Sequence, residues 1–176
     1  MTNLRRLTLI LIAGLGLVGC ATTRDLSAAG DVRAFLVAIR DDDRPAFDAY
    51  VDHGALTAQI QRILVERAQN ADMPDSLRGL GLLVSGPLAK AAAAALIRPD
   101  VFRAVADYYG YRPDAPIPGP LAIAMMLRSG EDGRVCAAKG RHGPCLLTFA
   151  RENGTWRLVE FNGDAAMLKL GRRGAP

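Results

Sequence analysis

The chain has 176 residues, 50% of them hydrophobic and only 6% aromatic, with a formal charge of +4, two histidines and three cysteines. The length suits one domain able to bury a real core. Removing residues 1–19, which hold two arginines and no acids, leaves 157 residues at +2, too weak a field to indicate a nucleic-acid partner. No Ser-His-Asp, HExxH, GxSxG or P-loop pattern occurs, so the common hydrolase and nucleotide-binding signatures are missing.

Arg5 and Arg6 precede an uncharged apolar run, Leu7 to Val18. Its twelve residues would span about 18 Å as helix. A hydrocarbon core is roughly 30 Å thick, so the run reads as a cleaved signal and not as a transmembrane helix. It ends in Leu17-Val18-Gly19-Cys20, which closely resembles the lipobox of bacterial lipoproteins. The resemblance implies a diacylglycerol thioether on Cys20, cleavage before it, and usually acylation of the new amine. Two or more acyl chains anchor stably where one does not. Ala21 follows, not Asp, which in the enteric sorting pattern favours the outer membrane. The competing readings are an ordinary secretory signal with a coincidental cysteine and an uncleaved anchor; no Ala-x-Ala-like site is evident before Ala21.

Residues 20–30 read as a tether between lipid and domain. Val32, Phe35, Leu36 and Ile39 then fall at helical spacing and predict a first helix over 31–40. Asp41-Asp42-Asp43 stops it and caps a second short helix with Pro45 in its first turn and a stripe of Phe47, Tyr50 and Val51. Asp52 caps a third, with Leu56, Ile60, Ile63 and Leu64 as its stripe. Gly79 to Ile97 carries one charge, Lys90, in nineteen residues. Gly86-Pro87 breaks it, and Ala91 to Ala95 continues as a close-packed helix; a transmembrane reading is rejected, and a surface for a partner or lipid is the sharper alternative. Pro99 starts an amphipathic helix through Tyr109. Pro113, Pro116, Pro118 and Pro120 stiffen an extended loop, and Leu121 to Leu127 reads as helix ended by Ser129-Gly130.

The period then changes to two. Val135–Lys139, Cys145–Arg151 and Thr155–Phe161 predict three antiparallel strands. Asn153-Gly154 is a type I′ hairpin signal that pairs Phe149 with Leu158 and Thr148 with Val159. That register puts Cys145, Leu147, Phe149, Trp156, Leu158 and Glu160 on one face. Lys139-Gly140-Arg141-His142 fits a two-residue turn that sets Cys136 opposite Cys145, close enough for a disulfide. Pro144 disturbs that ladder, so a looser loop is open, as is a pair of reduced, buried cysteines. Outside the cytoplasm an even pair reads as bridged, and closing so short a loop would stabilise by roughly 2–3 kcal/mol. Residues 164–176 form a basic tail.

Three stretches, Phe35–Leu56, Ala93–Asp107 and Leu146–Phe161, resemble in this order the proteobacterial family called domain of unknown function 2939. Their marks are an Ala-Ile helix entering an acidic turn, a Tyr-Val-Asp before the third helix, and an aromatic-Arg-x-x-Gly-x-Trp hairpin. Thr57 and Arg98 depart from the family pattern, and the cysteine pair is no mark of it. The resemblance carries no catalytic residue with it.

The candidate sites are few. The three aspartates read as a solvated capping turn before they read as a cation site. His53 beside Asp52, and His142 in its turn, are weak candidates for a general base, and no metal ligand set or cofactor motif is assembled. Glu160 breaks the pattern: sharing a face with Phe149 and Trp156, it could line a pocket as an acid or ligand anchor, or sit where the sheet frays into water. The expectation is an α+β domain over residues 31–163, several short N-terminal helices on a small C-terminal three-stranded antiparallel sheet. Its expected role is non-catalytic: a protein held by lipid on Cys20 in the cell envelope, at the outer membrane facing the periplasm, contacting an envelope protein partner. The alternative is a module that binds a small apolar ligand or lipid between helices and sheet.

Overall fold

The computed structural model describes residues 26–70, 87–108, 111–112, 114–130, 132–138 and 143–162. Six helices and one four-stranded sheet lie among them. The helices are α1 (26–40), α2 (Arg44–Ala49), α3 (His53–Asn70), α4 (Pro87–Leu96), α5 (Pro99–Tyr108) and α6 (Pro120–Ala124). The strands are β1 (Leu127–Ser129), β2 (Val135–Ala138), β3 (Cys145–Glu152) and β4 (Thr155–Phe161), an antiparallel meander in the order β1-β2-β3-β4. The class is α+β, as expected, but with a fourth strand.

The extra strand replaces the end of a predicted helix. Pro120 starts α6, which stops at Ala124, and Leu127 then pairs with Ala137. Leu127 turns into the core at 7% exposure while Arg128 and Ser129 stay exposed. A three-residue strand with one buried side chain has too little alternation to be seen in sequence.

Five residues expected in the tether are helical instead. Residues 26–30 belong to α1, and Ala28 and Ala29 are fully buried. Val32, Phe35 and Ile39 continue that buried face as the spacing predicts. The acidic turn ends α1 through paired bonds: Asp43 N–H to Ala38 C=O (2.9 Å) and Asp42 N–H to Ile39 C=O (3.4 Å). This is a Schellman closure, and it puts Asp42 at φ 56°, where Gly is the usual occupant.

Neighbouring strand residues share a face. One face carries Leu127, Val135, Ala137, Leu147, Phe149, Leu158 and Phe161, all in or against the core. The helices cover it. All five phenylalanines of the chain meet there. The Phe35 ring lies 5.6 Å from Phe47, 5.9 Å from Phe102 and 5.7 Å from Phe149, and Phe102 lies 5.6 Å from Phe161. The low aromatic content therefore does not make an alanine core; the few rings converge on one centre.

Two registers differ from expectation. Cys136 pairs with Thr148, not Cys145, and a shift follows after Ala137, where Ala138 faces Cys145. The disulfide still forms, at a Cα separation of 5.5 Å, because β3 starts at Cys145 and leaves Pro144 outside the ladder. The turn predicted at 139–142 lies outside the described residues. In the last hairpin Asn153 (φ 50°) and Gly154 (φ 91°) make the expected turn and Phe149 faces Leu158. Thr148, however, faces Glu160 and not Val159, because Val159 is the extra residue of a bulge.

That bulge serves the outer edge of β4. Trp156 N–H donates to Asp31 Oδ2 (2.8 Å) and its indole N–H to Ser27 Oγ (2.8 Å). Leu158 N–H donates to Tyr50 C=O, and Leu158 C=O accepts from Asp52 N–H. Val51, predicted in the second helix, is thus a one-residue parallel bridge to β4. Gln59 Oε1 accepts from Phe161 N–H (3.0 Å) and its Nε2 donates to Phe161 C=O (2.9 Å). With the extra residue, the outward groups fall at 156, 158 and 161, where partners from α1, the α2–α3 link and α3 meet them. An open edge is closed without another strand.

Candidate functional site

The predicted pocket residues separate. Phe149 is fully buried against Phe35, and Trp156, 2% exposed, is stitched to α1. Both are core. Glu160 stands opposite Thr148 in the row Arg128, Cys136, Thr148, Glu160, on the other face of the sheet. The bulge at Val159 is the reason: one inserted residue moves Phe161 onto the core face and Glu160 off it. The sequence has no Gly or Pro there to mark it.

The acidic turn is used by the architecture. Arg40 donates twice to Asp41, at 2.7 and 3.0 Å, and these bonds hold the Asp41 carboxyl below the usual carboxylate range. Asp42 lies 3.4 Å from the Arg103 guanidinium of α5. Asp43 caps α2, its Oδ1 accepting from Ala46 N–H at 3.0 Å. Among the described residues no three His, Cys, Asp or Glu side chains gather as a metal site. Replacing Asp43 with Ala is expected to cost about 1 kcal/mol through loss of the cap, read as a lower urea midpoint. Asp41→Ala, which removes only an exposed pair, is expected to leave the midpoint unchanged.

His53 finds its carboxylate in Asp48, at 2.9 Å, and not in adjacent Asp52. Asp48 also takes the Arg44 guanidinium at 3.0 Å through both oxygens. Asp52 is spent on capping α3, accepting from Ala55 N–H at 2.9 Å. Among the described residues the side-chain partner of His53 is this half-exposed Asp48, shared with Arg44.

One feature was missed in sequence. Asp42, Arg44, Ala94, Ala95, Arg98, Pro99 and Asp100 line an open depression of about 460 Å³ between the α1–α2 turn and the α4–α5 junction. Ala94 and Ala95 are exposed and form an apolar patch within it. Arg44 pairs with Asp48 and Asp42 with Arg103, while Arg98 Nε lies 3.1 Å from Asp100 Oδ1, a buried oxygen that has this ion pair and no hydrogen bond. Among the described residues it is an open surface of small side chains and ion pairs. The signal in sequence was the coupling of two charged, proline-containing helix starts, Arg44-Pro45 and Arg98-Pro99, which only the fold brings together.

The depression joins two of the three stretches singled out by resemblance, and the comparisons bear on both. A family model described as "Protein of unknown function (DUF2939)" matches residues 17–105, just over half of the chain, and the chain belongs to that family. The match begins at Leu17 and ends within α5; the hairpin stretch Leu146–Phe161 lies beyond it. No curated protein and no solved structure matches the chain.

Proposed function

We propose that this is a lipid-anchored protein of the cell envelope that works by contact with other proteins and not by catalysis. The observation that carries the reading is Leu17-Val18-Gly19-Cys20 behind Arg5-Arg6 and an uncharged apolar run. Ala21 after the cysteine favours the outer membrane, the domain facing the periplasm. No helix among the described residues is long and apolar enough to cross a membrane. From Cys20 to the first described residue, Leu26, the chain can reach no more than about 20 Å, at roughly 3.5 Å per residue. An acylated Cys20 would hold α1 and the β4 edge close to the headgroups.

Two features support a contact role. The charged depression offers ion pairs that a partner can exchange. Leu121, Met125 and Met126 are 66%, 75% and 53% exposed beside α6, the kind of apolar side chains that a partner buries. The ligand-carrier alternative needed Phe149 and Trp156 as pocket walls; packed as core, they lend it no support.

Intact mass spectrometry of the protein isolated from membranes is the test. The expected species begins at Cys20 and carries a diacylglycerol and an amide-linked acyl chain. A chain that keeps Met1, or begins at unmodified Ala21, overturns the anchor.

A further inference from the structure

The Cys136–Cys145 disulfide lies on the sheet face away from the helices, and Arg128 of β1 lies over it. Arg128 Nη2 is 3.6 Å from Cys136 Sγ and 3.8 Å from Cys145 Sγ. The same nitrogen donates to Gly143 C=O at 2.8 Å, which fixes the guanidinium in place. The two cysteines differ in access: Cys136 is 7% exposed in the middle of the sheet, whereas Cys145 is partly exposed at the first residue of β3. A bridge that only staples a hairpin requires no cation at its sulfurs. A cation there stabilises a thiolate, and a stabilised thiolate is a better leaving group in thiol–disulfide exchange.

We propose that this bridge is a thiol–disulfide exchange site for a dithiol reductant, attacked at Cys145, with Cys136 leaving as a thiolate held by Arg128. The reductant's thiolate forms a new S–S bond to Cys145 Sγ while the Cys136–Cys145 bond breaks, and that bond's electron pair passes to Cys136 Sγ. The reductant's second thiolate then attacks its own sulfur in the mixed disulfide and displaces Cys145 as a thiolate. Two electrons have moved from the dithiol, now a disulfide, to the protein, and the protons released by the reductant's thiols go to solvent or to the protein thiolates. The proposal is independent of the lipid anchor.

Two measurements on the full chain test it. In the first, the oxidised protein is treated briefly with the monothiol glutathione, the freed thiol is alkylated, and the adducts are mapped by peptide mass spectrometry. Glutathione on Cys145 with the alkyl group on Cys136 is the expected result; glutathione on Cys136, or shared equally, overturns the proposal. In the second, the rate of reduction by dithiothreitol is compared between the native protein and Arg128→Gln. The attacking species is the dithiothreitol thiolate, an anion, so the comparison is repeated at high salt, which screens attraction from a distance and leaves the contact between Arg128 and the leaving thiolate. A fall of about threefold to tenfold is expected from losing the cation beside the leaving thiolate, with Arg128→Lys intermediate. An unchanged rate in a folded variant overturns the proposal. The adduct map needs no variant and so decides the matter even if Arg128→Gln does not fold.

Discussion

Phe35→Ala is expected to remove about 3–5 kcal/mol of folding stability. Phe35 is fully buried and its ring faces those of Phe47, Phe102 and Phe149, which come from α2, α5 and β3. Truncation removes the transfer free energy of the ring and leaves a void that three neighbouring elements would have to move to fill. Rings cannot flow into such a space as methionine side chains can. Urea unfolding gives the measurement: the midpoint falls by the lost free energy divided by the slope. A loss below about 1.5 kcal/mol would show that the site collapses around the void, and that the five rings are not the mechanical centre of the domain.

The second large effect is expected from a polar residue. Gln59→Leu should cost about 2–4 kcal/mol, because it strands both the N–H and the C=O of Phe161 at the β4 edge. Gln59 is 8% exposed and lies on the same side of α3 as Leu56 and Ile60, so leucine fits there by pattern and would pass as an improvement. The reason it fails is 102 residues away in the chain. Gln59→Glu should not rescue the site at neutral pH, since a carboxylate oxygen then faces Phe161 C=O acceptor to acceptor and a charge is buried. A Gln59→Leu protein as stable as the native one would falsify the edge-closing role. Glu160→Gln serves as the contrast: the residue sits off the core face, and its replacement should change the midpoint little.

These two residues mark where the sequence could and could not be read. The stripe of Val32, Phe35 and Ile39 and the Asn153-Gly154 turn were legible because each is a local rule, a period or a positive φ, written into adjacent residues. The aspartate turn was legible as a stop and a cap, although its left-handed Asp42 was not. The disulfide could be foreseen from two cysteines near a turn, but its register could not, since the shift after Ala137 follows from how β3 begins. Glu160 was assigned to the wrong face by one residue. Nothing near Val159 announces a bulge, because the demand for it comes from Gln59 in α3. The depression at Asp42 and Arg98 was hidden for the same reason: each wall is an ordinary helix start, and only their meeting makes a surface.

The stitching of Ser27 and Asp31 to Trp156 also sets an order of events. These bonds span 129 and 125 residues. At a synthesis rate of about 5–20 residues per second, Asp31 is made roughly 6–25 s before Trp156 exists. Through most of that interval Phe35 can meet Phe47 and Phe102 but not Phe149, and the α1 groups that hold the β4 edge have no partner until Trp156 arrives. Among the described helices the first to be made is therefore among the last to settle, and α1 keeps part of its apolar face uncovered until the final hairpin closes. A helper that shields such a surface would act there, early and for seconds, and be displaced when β4 arrives.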